Sequence, residues 1–80
     1  MDQAIFERVR NIAADILQVD NVSIHPDSSP ESIESWDSVQ NLNLVLAVEE
    51  AFGFQFAPEE MDQMKTVGRI AEIVASKQPA

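Results

Sequence analysis

The apolar pattern predicts an all-α protein, a bundle of three longer helices and one short helix with a long loop between the first and second. Three observations carry that prediction. Apolar residues recur at three- and four-residue spacing in three separate stretches, which is the pattern of a helix with a buried face. Residues suited to starting and stopping helices stand at the edges of those stretches. The one alternating run, Phe54-Gln55-Phe56, is too short to pair as a strand. A chain of 80 residues makes a single domain, read here as residues 1–77 with 78–80 as a frayed tail.

The first helix is expected over 2–17. Ile5, Val9, Ile12, Ile16 and Leu17 form its stripe, Phe6 widens it, and Asp2 is placed to cap its start. A loop over 18–36 follows, with Pro26, Pro30 and many Ser and Asp residues. Val22, Ile24 and Ile33 are its expected anchors in the core, and Pro30 suits the start of a short helical turn through Ile33. Loops this long in small domains are often functional.

The second helix is expected over 37–52, opened by a capping box between Asp37 and Gln40 and closed by Gly53 in a left-handed cap. Val39, Leu42, Leu46 and Val48 are expected to face inward. Leu44, Val45 and Phe52 make the helix apolar around more than half its circumference, which predicts a central position. Phe54-Gln55-Phe56 reads as an extended connector, and Pro58-Glu59-Glu60-Met61 as the short helix. Met61 and Met64 read as core filler. Thr66 is placed to cap the last helix, over 67–76, with Val67, Ile70, Ala71, Ile73 and Val74 as its stripe. Gly68 inside that helix costs about 1 kcal/mol against Ala, so close approach of a neighbour is expected there.

Composition narrows function. There is no cysteine, which excludes disulfides, cysteine zinc sites and a cysteine nucleophile. No apolar run is long enough to span a membrane, and the N-terminus lacks the apolar segment of a signal peptide, so a cytoplasmic location is expected. Fourteen acids stand against five bases for a net charge of -9, and between Asn11 and Met64 there is no Lys or Arg. Such a surface is a poor partner for nucleic acid and a good one for basic protein surfaces.

The single histidine, His25, lies in the loop before Pro26. A small serine hydrolase would require it to reach Ser38. An acidic helical adapter without a prosthetic group fits composition and periodicity equally well. No glycine-rich phosphate loop or calcium-loop spacing is present. What remains is Trp36-Asp37-Ser38-Val39 at the junction of long loop and central helix. A serine in the first turn of a helix lies beside backbone N–H groups without internal partners, where the helix dipole favours a phosphate on its hydroxyl. Asp37 is placed to help bind a metal ion while such a group is attached. Asp-Ser at a helix start is common, so the tetrapeptide alone does not decide the matter.

The order of elements adds the context. An amphipathic helix and long loop lead into Ser35-Trp36-Asp37-Ser38-Val39. Leu42 and the run Leu44-Val45-Leu46-Ala47-Val48-Glu49-Glu50-Ala51-Phe52-Gly53 follow, then Thr66-Val67 with Ile70. This arrangement, over essentially the whole chain, resembles the acyl carrier protein family. The resemblance implies that Ser38 accepts 4′-phosphopantetheine from a phosphopantetheinyl transferase and that acyl groups ride on the arm's thiol. It implies a monomeric carrier that presents its load to enzymes of fatty acid, polyketide or related biosynthesis.

Under the same resemblance Glu49 and Glu50 correspond to partner-binding acids, with Glu59, Glu60 and Asp62 extending the acidic surface. Val39 and Trp36 flank the attachment site. Leu46, Val48 and Ile70 are candidates to line an acyl cavity. Three departures stand out: Val39 replaces a common Leu, Asn41 and Asn43 replace frequent acids, and Trp36 replaces a small residue. Trp36 is expected to be half buried with a partner-facing edge. Together the departures suggest a specialised carrier with its own enzyme set.

Overall fold

Among the described residues four helices form close to where the spacing places them: α1 (Gln3–Leu17), α2 (Ser38–Phe52), the short α3 (Pro58–Met61) and α4 (Val67–Lys77). A single 3-10 turn, Asn21–Ser23, interrupts the long loop. The computed structural model describes residues 3–77; the expected cap at Asp2 and the expected tail at 78–80 lie outside the described residues.

The core gathers one face from each long helix. On α1 the buried residues are Phe6, Val9, Ala13 and Leu17, and Ile5, Ile12 and Ile16 are only partly covered. The stripe is thus rotated from the expected one, with Phe6 at its centre rather than its margin. On α4 the expected set is buried, and Gly68 with it. Ile24, Trp36, Phe56 and Met64 close the core from the connecting segments.

On α2 the expectation is corrected. Leu44, Val45 and Val48 face inward, whereas Val39, Leu42 and Leu46 are 67%, 62% and 61% exposed. An apolar arc wider than one buried face leaves part of itself in water, and periodicity alone does not say which part. The central role also moves: α1 is the helix that packs on both α2 and α4. Arg8 on α1 tightens the α1–α2 contact, its guanidinium 4.3 Å from the centre of the Phe52 ring and donating to the Ala51 carbonyl at 3.2 Å.

Helix ends are settled by neighbours. The Val19 N–H donates to the Ala14 carbonyl across Gln18, whose φ is +58°, so α1 ends in a left-handed Schellman-type cap. α2 stops at Gly53, φ +73°, as expected. At α4, Thr66 Oγ1 accepts from the Arg69 N–H at 3.0 Å. The Val67 and Gly68 N–H groups donate to loop carbonyls at Ser28 and Pro26, at 3.0 and 2.7 Å. The first-turn donors of α4 therefore anchor the long loop. Gly68 is required by that contact, because a Cβ there would lie 2.7 Å from the Pro26 carbonyl oxygen.

Within the loop, Ile24 is buried and Ile33 half-buried as expected. Val22 is 78% exposed, not an anchor. The turn expected from Pro30 to Ile33 forms, with the Ser32 and Ile33 N–H groups both donating to the Ser29 carbonyl and Pro30 in the first position.

Candidate functional site

Local hydrogen bonding fixes the start of α2. Asp37 is extended, and its Oδ1 accepts from the Gln40 N–H at 2.9 Å. Only this half of the expected capping box is present. The Gln40 side chain reaches α1 instead, where Nε2 donates to the Ile16 carbonyl at 3.0 Å. Ser35 Oγ donates to the neighbouring Leu17 carbonyl at 2.8 Å. Both bonds satisfy carbonyls at the end of α1 that its own helix leaves open, and they clamp the loop–α2 junction to that end. Ser38 is the first residue of α2 and is exposed. Its hydroxyl stands at the positive end of the helix dipole.

Beside it lies a cleft of about 590 Å³ between the loop and the segment leading into α4, lined by Pro30, Trp36, Ser38, Asn41, Met64 and Lys65. An exposed hydroxyl at a helix start with open space alongside fits a phosphodiester substituent: a group attached there displaces no core residue.

Trp36 is a correction. It is only 2% exposed, so the expected half-buried ring with a partner-facing edge is instead a core side chain. Its indole N–H donates to Asn41 Oδ1 at 3.0 Å, which satisfies the buried donor. Val39 is exposed on α2, one turn before Leu42 and two before Leu46. These three residues form an apolar ridge along one side of the helix.

The two expected partner-binding acids separate. Glu50 is exposed. Glu49 is half-buried, and its Oε2 accepts from the Phe56 N–H at 2.7 Å, so it holds the connector after α2. Glu60 is engaged within the fold as well. Its Oε1 accepts from the Ala57 N–H at 2.7 Å and lies 2.9 Å from Lys77 Nζ. The backbone bond first, then Lys77, holds its carboxyl below the usual carboxylate range. Of the acyl-cavity candidates, Val48 and Ile70 are in the core and Leu46 is on the surface.

His25 is exposed on the loop, with its backbone N–H donating to Ser28 Oγ, and no hydrogen bond joins it to Ser38 among the described residues. Sequence reasoning named Asn41 only as a departure from frequent acids and did not single out Lys65; both line the Ser38 cleft. The available signal was that Lys65 is the first base after the long base-free stretch.

Comparison with known proteins gives the family of the chain. The family described as "Phosphopantetheine attachment site" matches residues 7–74. An acyl carrier protein of Picosynechococcus sp. is 36% identical over 77 residues, covering 96% of this chain and 95% of its own. One from Coprothermobacter proteolyticus is 34% identical over 74 residues, covering 92% and 90%. One from Thermosynechococcus vestitus is 34% identical over 73 residues, covering 91% and 90%. The attachment-site match separates this chain from an adapter without a prosthetic group, and the relatives separate it from a serine hydrolase. Similarity that runs from α1 into α4 places the chain in the acyl carrier protein family, whose members are carriers rather than enzymes and bear a covalent 4′-phosphopantetheine.

Proposed function

We propose that Ser38 is the attachment residue and that the protein presents acyl groups to enzymes of fatty acid, polyketide or related biosynthesis. The observation that carries this reading is the exposed Ser38 hydroxyl on the first residue of α2, behind the Asp37 cap. The arm supplies the thiol for thioester formation, which a chain without cysteine cannot provide itself. The chain's own residues position it. Asp37 and Gln40 fix the first turn, Ser35 and Gln40 tie that turn to α1, and Trp36 fills the core beneath it.

Enzymes reach the arm across α2. Val39, Leu42 and Leu46 offer an apolar strip beside the attachment point, and Glu50 adds negative charge farther along the helix. A partner surface with an apolar patch rimmed by Lys and Arg complements this face, with charge speeding encounter and the apolar strip supplying affinity. The first such partner is a phosphopantetheinyl transferase. The carrier works as a monomer in the cytoplasm; no helix among the described residues is long and apolar enough to cross a membrane.

The test is incubation with a broad-specificity transferase, coenzyme A and magnesium, read by intact mass. Wild type gains one phosphopantetheine and Ser38→Ala gains none. Loading of the Ser38→Ala variant, or no loading of wild type by several transferases, contradicts the assignment.

A further inference from the structure

We propose that the cleft beside Ser38 is a cradle for the root of the arm, in which the side-chain amide of Asn41 and the ammonium of Lys65 hold the phosphodiester. This inference rests on the assignment of Ser38 as the attachment residue.

The orientation of Asn41 follows from chemistry. An indole N–H only donates, so the Asn41 atom 3.0 Å from Trp36 Nε1 is the amide oxygen. That settles the rotation of the amide, which is otherwise a choice between two similar ends. The NH₂ end is left to donate elsewhere. Among the described residues it has no hydrogen-bond partner, and it is not among the fully buried atoms that lack one, so it is not sealed from solvent. Asn41 lies three residues after Ser38 on the same side of the first turn and lines the same cleft. Trp36 is therefore a positioning residue, since it holds the acceptor end of Asn41 and presents the donor end.

Lys65 is the second donor. Three of the other four bases have partners inside the fold: Arg8 is on Phe52 and the Ala51 carbonyl, Arg69 is with Gln63 and Glu72, and Lys77 is with Glu60. Arg10 lies beside Phe6 with its Nε buried and does not line the cleft. Among the described residues, Lys65 has no ion-pair partner, is exposed, and opens onto the cleft that contains Ser38. Glu31 and Asp37 line that cleft too. A phosphodiester there adds a third negative charge, and Lys65 is the one base to balance it. Pro30 and Met64 supply apolar wall for the branched carbon segment next to the phosphate. Neither donor belongs to the apolar ridge of α2, so a cradled root leaves the ridge free for an enzyme.

The test uses the full chain loaded by transferase, with tandem mass spectrometry first locating the arm. Nitrogen-15 and carbon-13 spectra then compare apo and loaded protein, and phosphorus-31 spectra follow the phosphodiester. The Asn41 side-chain amide pair and the Lys65 ε-methylene signals are expected to move on loading in wild type and to stay in place in Ser38→Ala treated identically. In loaded Lys65→Met the phosphorus signal moves toward that of a free phosphodiester, and the docked fraction drops about two- to five-fold, as expected for an exposed ion pair. Lys65→Arg restores it, and about 0.5 M salt weakens it in wild type. Asn41→Asp keeps an acceptor for Trp36 but removes the donor, and it too releases the root. If the arm is on Ser38 and only the amides of residues 37–39 shift, with Lys65→Met and Asn41→Asp indistinguishable from wild type, the cradle is refuted while the carrier site stands. If mass spectrometry finds the arm elsewhere, both fall.

Discussion

Replacing Gly68 with Ala sets two physical effects against each other. In an ordinary helix interior the change is favourable by about 1 kcal/mol. Here the added Cβ would lie 2.7 Å from the Pro26 carbonyl oxygen and 3.1 Å from the Pro26 Cβ. The first distance is too short for a carbon beside a backbone oxygen, so the loop must retreat. Retreat stretches the 2.7 Å bond from the Gly68 N–H to the same oxygen. Overpacking costs about 1–3 kcal/mol and a weakened hydrogen bond about 0.5–1.5 kcal/mol. The balance is a loss of about 0.5–3.5 kcal/mol. At roughly 4–8 °C per kcal/mol for a domain of this size, Tm falls by on the order of 2–28 °C. The assay is thermal and urea unfolding by circular dichroism, with exposed Glu72→Ala on the same helix as a control that stays within about 0.5 kcal/mol. Amide exchange at Val67 and Gly68 should quicken more than elsewhere in α4, because their acceptors are loop carbonyls. A Gly68→Ala protein as stable as wild type, or more stable, would refute the claim that close approach of the loop selects glycine.

Other outcomes follow from single contacts. Glu49→Gln weakens the acceptor of the Phe56 N–H and Glu49→Ala removes it, so Glu49→Ala should cost about 1–3 kcal/mol, whereas Glu50→Ala stays within about 0.5 kcal/mol; equal melts for the two Ala variants would deny Glu49 its structural role. Leu42→Ser together with Leu46→Ser should leave the melt nearly unchanged but slow acyl transfer by partner enzymes about ten-fold or more, the effect of losing an apolar anchor at an interface; unchanged transfer kinetics would remove the ridge as a docking surface. Glu60 has a depressed pKa because it accepts from the Ala57 N–H and pairs with Lys77. Its contribution to stability is therefore complete above the pH at which an unfolded-chain glutamate ionises, and it is lost as pH falls through the depressed value. Glu60→Gln should be less stable than wild type at neutral pH, with the gap closing on acidification; a gap independent of pH speaks against the pairing.

Signals confined to one or two residues were legible in the sequence. The Asp37 cap, the Gly53 stop, the Thr66 cap and the Pro58 start depend on chemistry within a single turn, and each is found where the sequence placed it. Gly68 was readable as a misfit, a residue too costly for a helix unless something approaches it. The inner face of α2 was not legible, because Val39, Leu42 and Leu46 are as apolar as Leu44, Val45 and Val48, and only the position of α1 decides which set is covered. Two roles of polar residues were hidden for a related reason. Glu49 bonds a backbone group seven residues onward, and Asn41 bonds Trp36 across the loop–helix junction; neither spacing is a recognised pattern. Val22 looked like an anchor because it is apolar in a polar loop, but the 3-10 turn carries it outward.

The most direct examination of the carrier site is a phosphorus–proton correlation spectrum of the loaded protein, which reports the serine protons three bonds from the phosphorus. A cross-peak from the arm's phosphodiester to the Ser38 β-protons is the expected result. A cross-peak to the β-protons of any other serine would contradict it.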